Sequence, residues 1–175
     1  VPYFLYLGTL EPRKNIPLLV EAWREVRSHY DVELVLAGRR RSDFPTLHEE
    51  PGLKLRGEVA DEELPALYSG AVACLYPSLY EGFGLPVLEA MQCGAAVVAS
   101  RDPAITEIAG GAALQLDARD TRAWVEAMSA ALARPEWRAE WRDKALVRAK
   151  EFSWGRTARL TREVYEEARR LAAHS

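Results

Sequence analysis

Cysteine is scarce in this chain, which holds only Cys74 and Cys93 in 175 residues. Two thiols in a chain this long make no disulfide framework, and their spacing does not suggest a metal site, so reduced thiols are expected. No apolar run approaches the roughly 20 residues that a membrane-spanning helix needs. No stretch has the layout of a signal peptide, and a cytoplasmic location is the default expectation. A surplus of one charge is missing as well. Lys and Arg number 23 against 26 Asp and Glu, a net −3, which gives no global electrostatic case for nucleic acid or a membrane surface. The run Arg39-Arg-Arg41 is the local exception; such a run is usually a solvated loop and less often a phosphate or acidic-lipid contact. Repeats, low-complexity segments and linkers are absent too, so residues 1–175 read as one domain with room for a substantial core. An initiator methionine is also missing. A chain that begins at Val1 and enters a strand almost at once is expected to be a piece of a larger protein.

Short apolar runs alternate with amphipathic stretches. Residues 3–7, 32–37, 53–56, 71–76 and 95–100 read as strands, with a weaker one at 112–116. Continuous apolar character is expected of strands covered on both faces. Between them, Asn15 is an expected N-cap for a helix whose stripe is Leu18, Leu19, Ala22, Trp23 and Val26. Asp61 is the expected cap of a short helix to about Ser69. Leu85–Gln92 is a third helix with Gly94 near its C-cap, and 103–108 forms a turn or short helix. Asp120 caps a helix to about Ala133, Pro135 opens another to about Glu151, and Ser153 caps the last. Trp137 and Trp141, four apart, share a face and are expected to pack. The charges of the last helix look like a solvated face. Strands alternating with helices give an α/β fold, a Rossmann-like parallel sheet with helices on both faces. Ligands of such sheets bind at the carboxyl ends of the strands.

The stretch that organises the chain is Glu81-Gly-Phe-Gly-Leu-Pro-Val-Leu-Glu89. Gly82 and Gly84 lack Cβ atoms, so backbone N–H groups can approach a ligand closely. Pro86 suits a first helical turn, and a helix start with free N–H groups is an anion site. Glu89 is the one charge in an otherwise apolar helix that should be buried. A buried carboxylate needs a partner. Carboxylates on either side of an anion-binding helix tip suit a ligand with hydroxyls at both ends and phosphate in the middle, the shape of a nucleotide sugar. The spacing alone equally allows Glu89 in a buried ion pair with Glu81 solvated. Arg13 and Lys14 stand just ahead of a helix start, where cations oppose the dipole; a diphosphate would offset that cost, and two solvated loop charges are the alternative.

These residues, taken with Gly8-Thr-Leu-Glu-Pro-Arg-Lys-Asn15, Leu36-Ala-Gly38, Gly57-Glu-Val59, Pro77-Ser78, Glu89-Ala-Met91 and Phe152-Ser-Trp154, resemble in order the retaining GT-B glycosyltransferases of the group-1 family with their E-x7-E motif. The resemblance implies the C-terminal, donor-binding half of a GT-B fold, lacking an N-terminal acceptor domain. It implies transfer of a hexose from a nucleoside diphosphate sugar with retention, without a metal or other cofactor. Glu81 would contact hexose hydroxyls, Glu89 the ribose, and Lys14 with Arg13 the diphosphate. Gly8, Val59 and the loop N–H groups of Gly82, Phe83, Gly84 and Leu85 would line the donor, with Val59 near the base. Glu81 and Lys14 are the residues it places nearest the chemistry. Thr9 departs from the arginine that many members carry after the first glycine. Glu107 matches a glutamate often found there and reads as structural. The variant around Lys14 looks most like mannosyltransferase members, which leans toward GDP-mannose. The implied partners are the donor and the N-terminal domain, with no nucleic acid; membrane association of a full-length protein stays open.

Other readings stay open at this point. The chain could bind a nucleotide sugar without activity in isolation. Glu81 and Glu89 could form a glycosidase-like acid/base pair, although hydrolysis gives no reason for the glycine loop or Lys14. Gly82-x-Gly84 weakly echoes a dinucleotide fingerprint but lacks its third glycine.

Overall fold

A computed structural model of the chain describes residues 1–48 and 50–173. Six strands form one sheet, all parallel: β1 (Tyr3–Leu7), β2 (Glu33–Ala37), β3 (Leu53–Gly57), β4 (Ala73–Tyr76), β5 (Val97–Ser100) and β6 (Leu114–Leu116), in the order β3-β2-β1-β4-β5-β6. The inner strands are short because only three to five residues of each lie fully between helical layers, and Phe4, Leu5, Leu34, Leu36, Leu75 and Val97 are wholly buried there.

Helices α1 (Ile16–Arg27), α2 (Leu64–Gly70), α3 (Leu85–Gln92), α4 (Pro103–Ala109), α5 (Thr121–Ala133), α6 (Pro135–Ala149) and α7 (Trp154–Ala172) complete the chain. From β1 the chain steps outward to β2, and from β4 outward the other way to β5. Right-handed crossovers therefore put α1 and α3 on opposite faces. Consistently, α1 packs on α5 and α3 on α6. Trp23 and Trp124 are fully buried, and each indole N–H finds a carbonyl, Val32 O at 3.1 Å and Asp117 O at 3.0 Å, as a buried indole requires. Trp137 and Trp141 pack as expected, with ring centroids 6.0 Å apart.

Two caps expected from sequence are not caps. Asn15 sits in the left-handed region (φ 55°) and makes no capping bond; its side-chain amide instead donates to Ala118 O at 2.7 Å and Pro77 O at 3.3 Å. Asn tolerates that backbone, and its amide bridges two loops by donating to their carbonyls instead of accepting from the N–H groups of α1. Asp61 opens a 3-10 turn, Asp61–Glu63, ahead of α2 and makes no capping bond either. Asp120 and Ser153 do cap, accepting from Ala123 N and Arg156 N.

The β2–β3 connection holds no helix among its described residues, and Pro45 and Pro51 oppose one. One face of β3 is left uncovered, forming a groove of about 1200 Å³ lined by Val35, Leu55 and Leu67 with charged Glu33, Lys54 and Arg56. It lies along the sheet rather than at the carboxyl edge.

Candidate donor site at the carboxyl edge

The sheet changes winding direction between β1 and β4, and the loops after those strands meet there. The loop after β1 makes a 3-10 turn, Pro12–Lys14, that presses Lys14 inward until 7% of it is exposed. Its Nζ donates to Glu81 Oε1 at 2.5 Å, and Arg13 Nη1 donates to Glu81 Oε2 at 2.9 Å. Ser78 Oγ adds a bond to Oε1 at 2.6 Å. Arg13 also donates to Tyr80 O at 2.8 Å and pairs with Glu11 at 2.7 Å. Glu11, itself buried, accepts in turn from Arg41 at 2.8 Å, and Arg41 pairs with Asp43 at 2.9 Å. Burial would raise the Glu81 pKa, but hydrogen bonds from Lys14, Ser78 and Arg13 outweigh it and hold the carboxyl below its usual range.

The backbone N–H of Glu81 donates to Asp102 Oδ2 at 3.2 Å, while Asp102 Oδ1 caps α4 through Ala104 N and Ile105 N. Beyond Glu81 the chain turns at Gly84 (φ 95°), whose carbonyl accepts from Val87 N and Leu88 N. Among the described residues, the N–H groups of Gly82, Phe83, Gly84 and Leu85 find no acceptor. They remain as donors at the positive end of α3. Tyr76 Oη donates to Pro86 O at 3.1 Å and fixes this helix start. Phe83 and Leu85 are exposed, so α3 is buried only through Val87, Leu88, Ala90 and Met91, not throughout as its composition suggests.

Glu89, one turn further along α3, is half-buried and has no basic partner among the described residues. It accepts from Tyr68 Oη at 3.0 Å, and burial together with the Glu89 charge pushes that phenol's pKa up. The spacing left open that Glu89 is the ion-paired acid and Glu81 the solvated one; the structure instead ion-pairs Glu81 and sets Glu89 half-buried against Tyr68. Glu89 opens on a cavity of about 480 Å³ at the carboxyl ends of β1, β2 and β3, which Gly8, Thr9, Gly38, Arg39, Val59 and Asp61 also line.

The sequence-derived site residues thus fall into two neighbouring groups. Gly8, Val59 and Glu89 share the cavity, while Arg13, Lys14 and Glu81 form the ionic cluster beside it, with the loop of Gly82 to Leu85 leading from one to the other along the chain. Sequence reasoning missed Tyr68, Glu11, Ser78 and Asp102. Asp102-Pro103 carries the signature of an N-cap followed by Pro and could have been found. Glu107 lies in the last turn of α4, where its carbonyl accepts from Arg148 at 2.7 Å. No described group of His, Cys, Asp and Glu is arranged to hold a metal ion.

The sequence pattern of group 1 glycosyl transferases matches residues 1–134. The chain belongs to that family. Among curated proteins it is similar to O-antigen chain mannosyltransferase B of Escherichia coli, 39% identical over 175 residues that cover 94% of this chain and 45% of that one. It is also similar to the MMP alpha-(1->4)-mannosyltransferase of Mycolicibacterium hassiacum, 38% identical over 170 residues, covering 90% and 41% of the two chains. The chain therefore spans less than half the length of these relatives. Among solved structures it is similar to the sucrose-phosphate synthase of Thermosynechococcus elongatus, with a TM-score of 0.81 at 28% identity over 99% of this chain and 46% of that one. The six-stranded sheet with helices on both faces is the Rossmann-like half of a GT-B fold.

Proposed function

We propose that this glycosyltransferase chain is the donor-binding half of a retaining enzyme that moves a hexose, mannose in our reading, from a nucleoside diphosphate sugar to an acceptor, without a metal. The observation that carries this is Glu89. It is an acid on an apolar helix, steadied by a phenol, with no basic partner among the described residues, and it faces a cavity at the sheet's carboxyl edge. A ribose hydroxyl would complete its hydrogen bonding, with the base toward Val59 and the diphosphate toward Gly8 and the free N–H groups of Gly82 to Leu85. Negative charge grows on the departing diphosphate in the transition state, so prearranged N–H groups and cations beside it lower the barrier. Mannose, and with it GDP as the nucleotide, is supported by the mannosyltransferases among the relatives. The acceptor would sit on chain that the longer relatives possess, so donor binding without transfer is the expected behaviour of this chain alone.

A glycosidase pair is disfavoured. Both Glu81 oxygens are taken up by Lys14, Ser78 and Arg13, and hydrolysis gives no reason for the free N–H groups at the start of α3.

Titration calorimetry with GDP-, UDP- and ADP-sugars tests the reading, using Glu89→Gln and Glu89→Ala. An amide still serves a ribose hydroxyl, so Glu89→Gln should weaken donor binding by a few-fold and Glu89→Ala by tenfold or more. Equal losses would mean that Glu89 acts through its charge, and absence of binding to every nucleotide sugar would remove the proposal.

A further inference from the structure

A nucleotide diphosphate laid in the Glu89 cavity has to find positive charge, and the two cations on the loop after β1, Arg13 and Lys14, are already engaged. Arg13 and Lys14 are held by Glu81 and Glu11, and Arg41 by Glu11 and Asp43. These six side chains sum to zero. The cavity lining contributes three carboxylates, Glu58, Asp61 and Glu89, against a single cation, Arg39. Without that cation the cavity would repel a diphosphate.

Arg39 differs from its neighbours in the basic run in two respects. Its guanidinium has no ion pair or hydrogen bond among the described residues, although the residue lines the cavity. Its backbone, by contrast, is fixed. Arg39 O accepts from Leu10 N at 2.9 Å, Arg41 N donates to Leu10 O at 3.0 Å, and Gly8 N donates to Ala37 O at 2.9 Å. Just before it, Gly38 (φ 128°) lies so close to the β1 loop that a Cβ would come within 2.2 Å of Gly8 O. Only glycine permits that approach, and it sets residue 39 over the Gly8-Thr9 end of the cavity. A rigid backbone carrying an uncommitted guanidinium is suited to bidentate phosphate contact.

We propose that Arg39 is a diphosphate-binding residue of the donor site, supplying the charge that Arg13 and Lys14 spend on Glu81. The assignment rests on the donor reading above. It predicts that the value of Arg39 scales with the number of phosphates on the ligand.

Calorimetry on the full chain with guanosine, GMP and GDP, and in parallel uridine, UMP and UDP, tests this in the wild type, Arg39→Ala and Arg40→Ala. Arg40 is the control because it is exposed and does not line the cavity. Arg39→Ala should weaken the diphosphate at least tenfold, the monophosphate less, and the nucleoside hardly at all. The salt dependence of diphosphate binding should also become shallower, while Arg40→Ala stays close to wild type. Retained nucleoside binding shows in the same experiment that the variant is folded. Equal losses for nucleoside and diphosphate, or equal behaviour of the two arginine variants, overturn the assignment alone. A wild-type chain that binds no nucleotide overturns the donor reading and this assignment together.

Discussion

Glu81 and Glu89 sit eight residues apart, yet their surroundings are opposite. Glu81, with 9% of its side chain exposed, meets two cations and a hydroxyl, while Glu89 meets one phenol. Because the folded-state pKa of Glu81 lies below its ordinary value of 4.5, its contribution to stability is fully present above that value. It is lost as pH falls through the depressed one. Glu81→Gln should therefore flatten the acid limb of the stability profile, read by urea denaturation between about pH 3 and 6. At pH 7 it should cost about 3 kcal/mol, since Lys14 is left buried without its anion; an unaltered acid limb would count against the ionic cluster. The glycines, Pro86 and the pattern around them were readable from sequence because turn chemistry is local. The partner of Glu81 was not, because Lys14 lies 67 residues away and only the parallel register of β1 and β4 brings the two loops together.

Helix limits show the same division. Asp120 and Ser153 were legible as caps because nothing else competes for their side chains. Asn15 and Asp61 stand at the carboxyl edge, where neighbouring loops and the cavity claim them instead. Asp102 serves two elements at once, capping α4 and receiving the Glu81 N–H. Asp102→Ala should cost about 1–2 kcal/mol, and it should also loosen the loop that presents Glu81. Asp102→Asn keeps one acceptor for the cap but sets its amide NH2 against the Glu81 N–H, so it should recover only the capping part of that loss in the same denaturation experiment. If the two variants are equally unstable, the bond to the Glu81 N–H rather than capping is what Asp102 chiefly supplies.

For the whole molecule, the sheet order was not written in any single segment, but the alternation of apolar runs with helical stripes was enough to place Lys14 and Glu81 on one edge. The last helix was read only by half. Its charges were expected on a solvated face, but none of its side chains is buried, and Trp154, Val164 and Tyr165 are also exposed. An amphipathic helix gains little stability from propensity alone and gains most from burying its apolar face. Here no side chain of α7 is buried, in contrast to α6, which packs on α3 and buries Ala145 and Ala149. Ending the chain after Ser153 should therefore shift the melting temperature by no more than about 3 °C, the equivalent of roughly 1 kcal/mol at this size, and leave nucleotide binding unchanged. Ending it before Pro135 should abolish cooperative unfolding, because α3, which carries Glu89, would lose the helix that covers it. Calorimetric melting of the two truncations separates the cases, and a large loss on removing α7 alone would mean that its apolar side supports this domain after all.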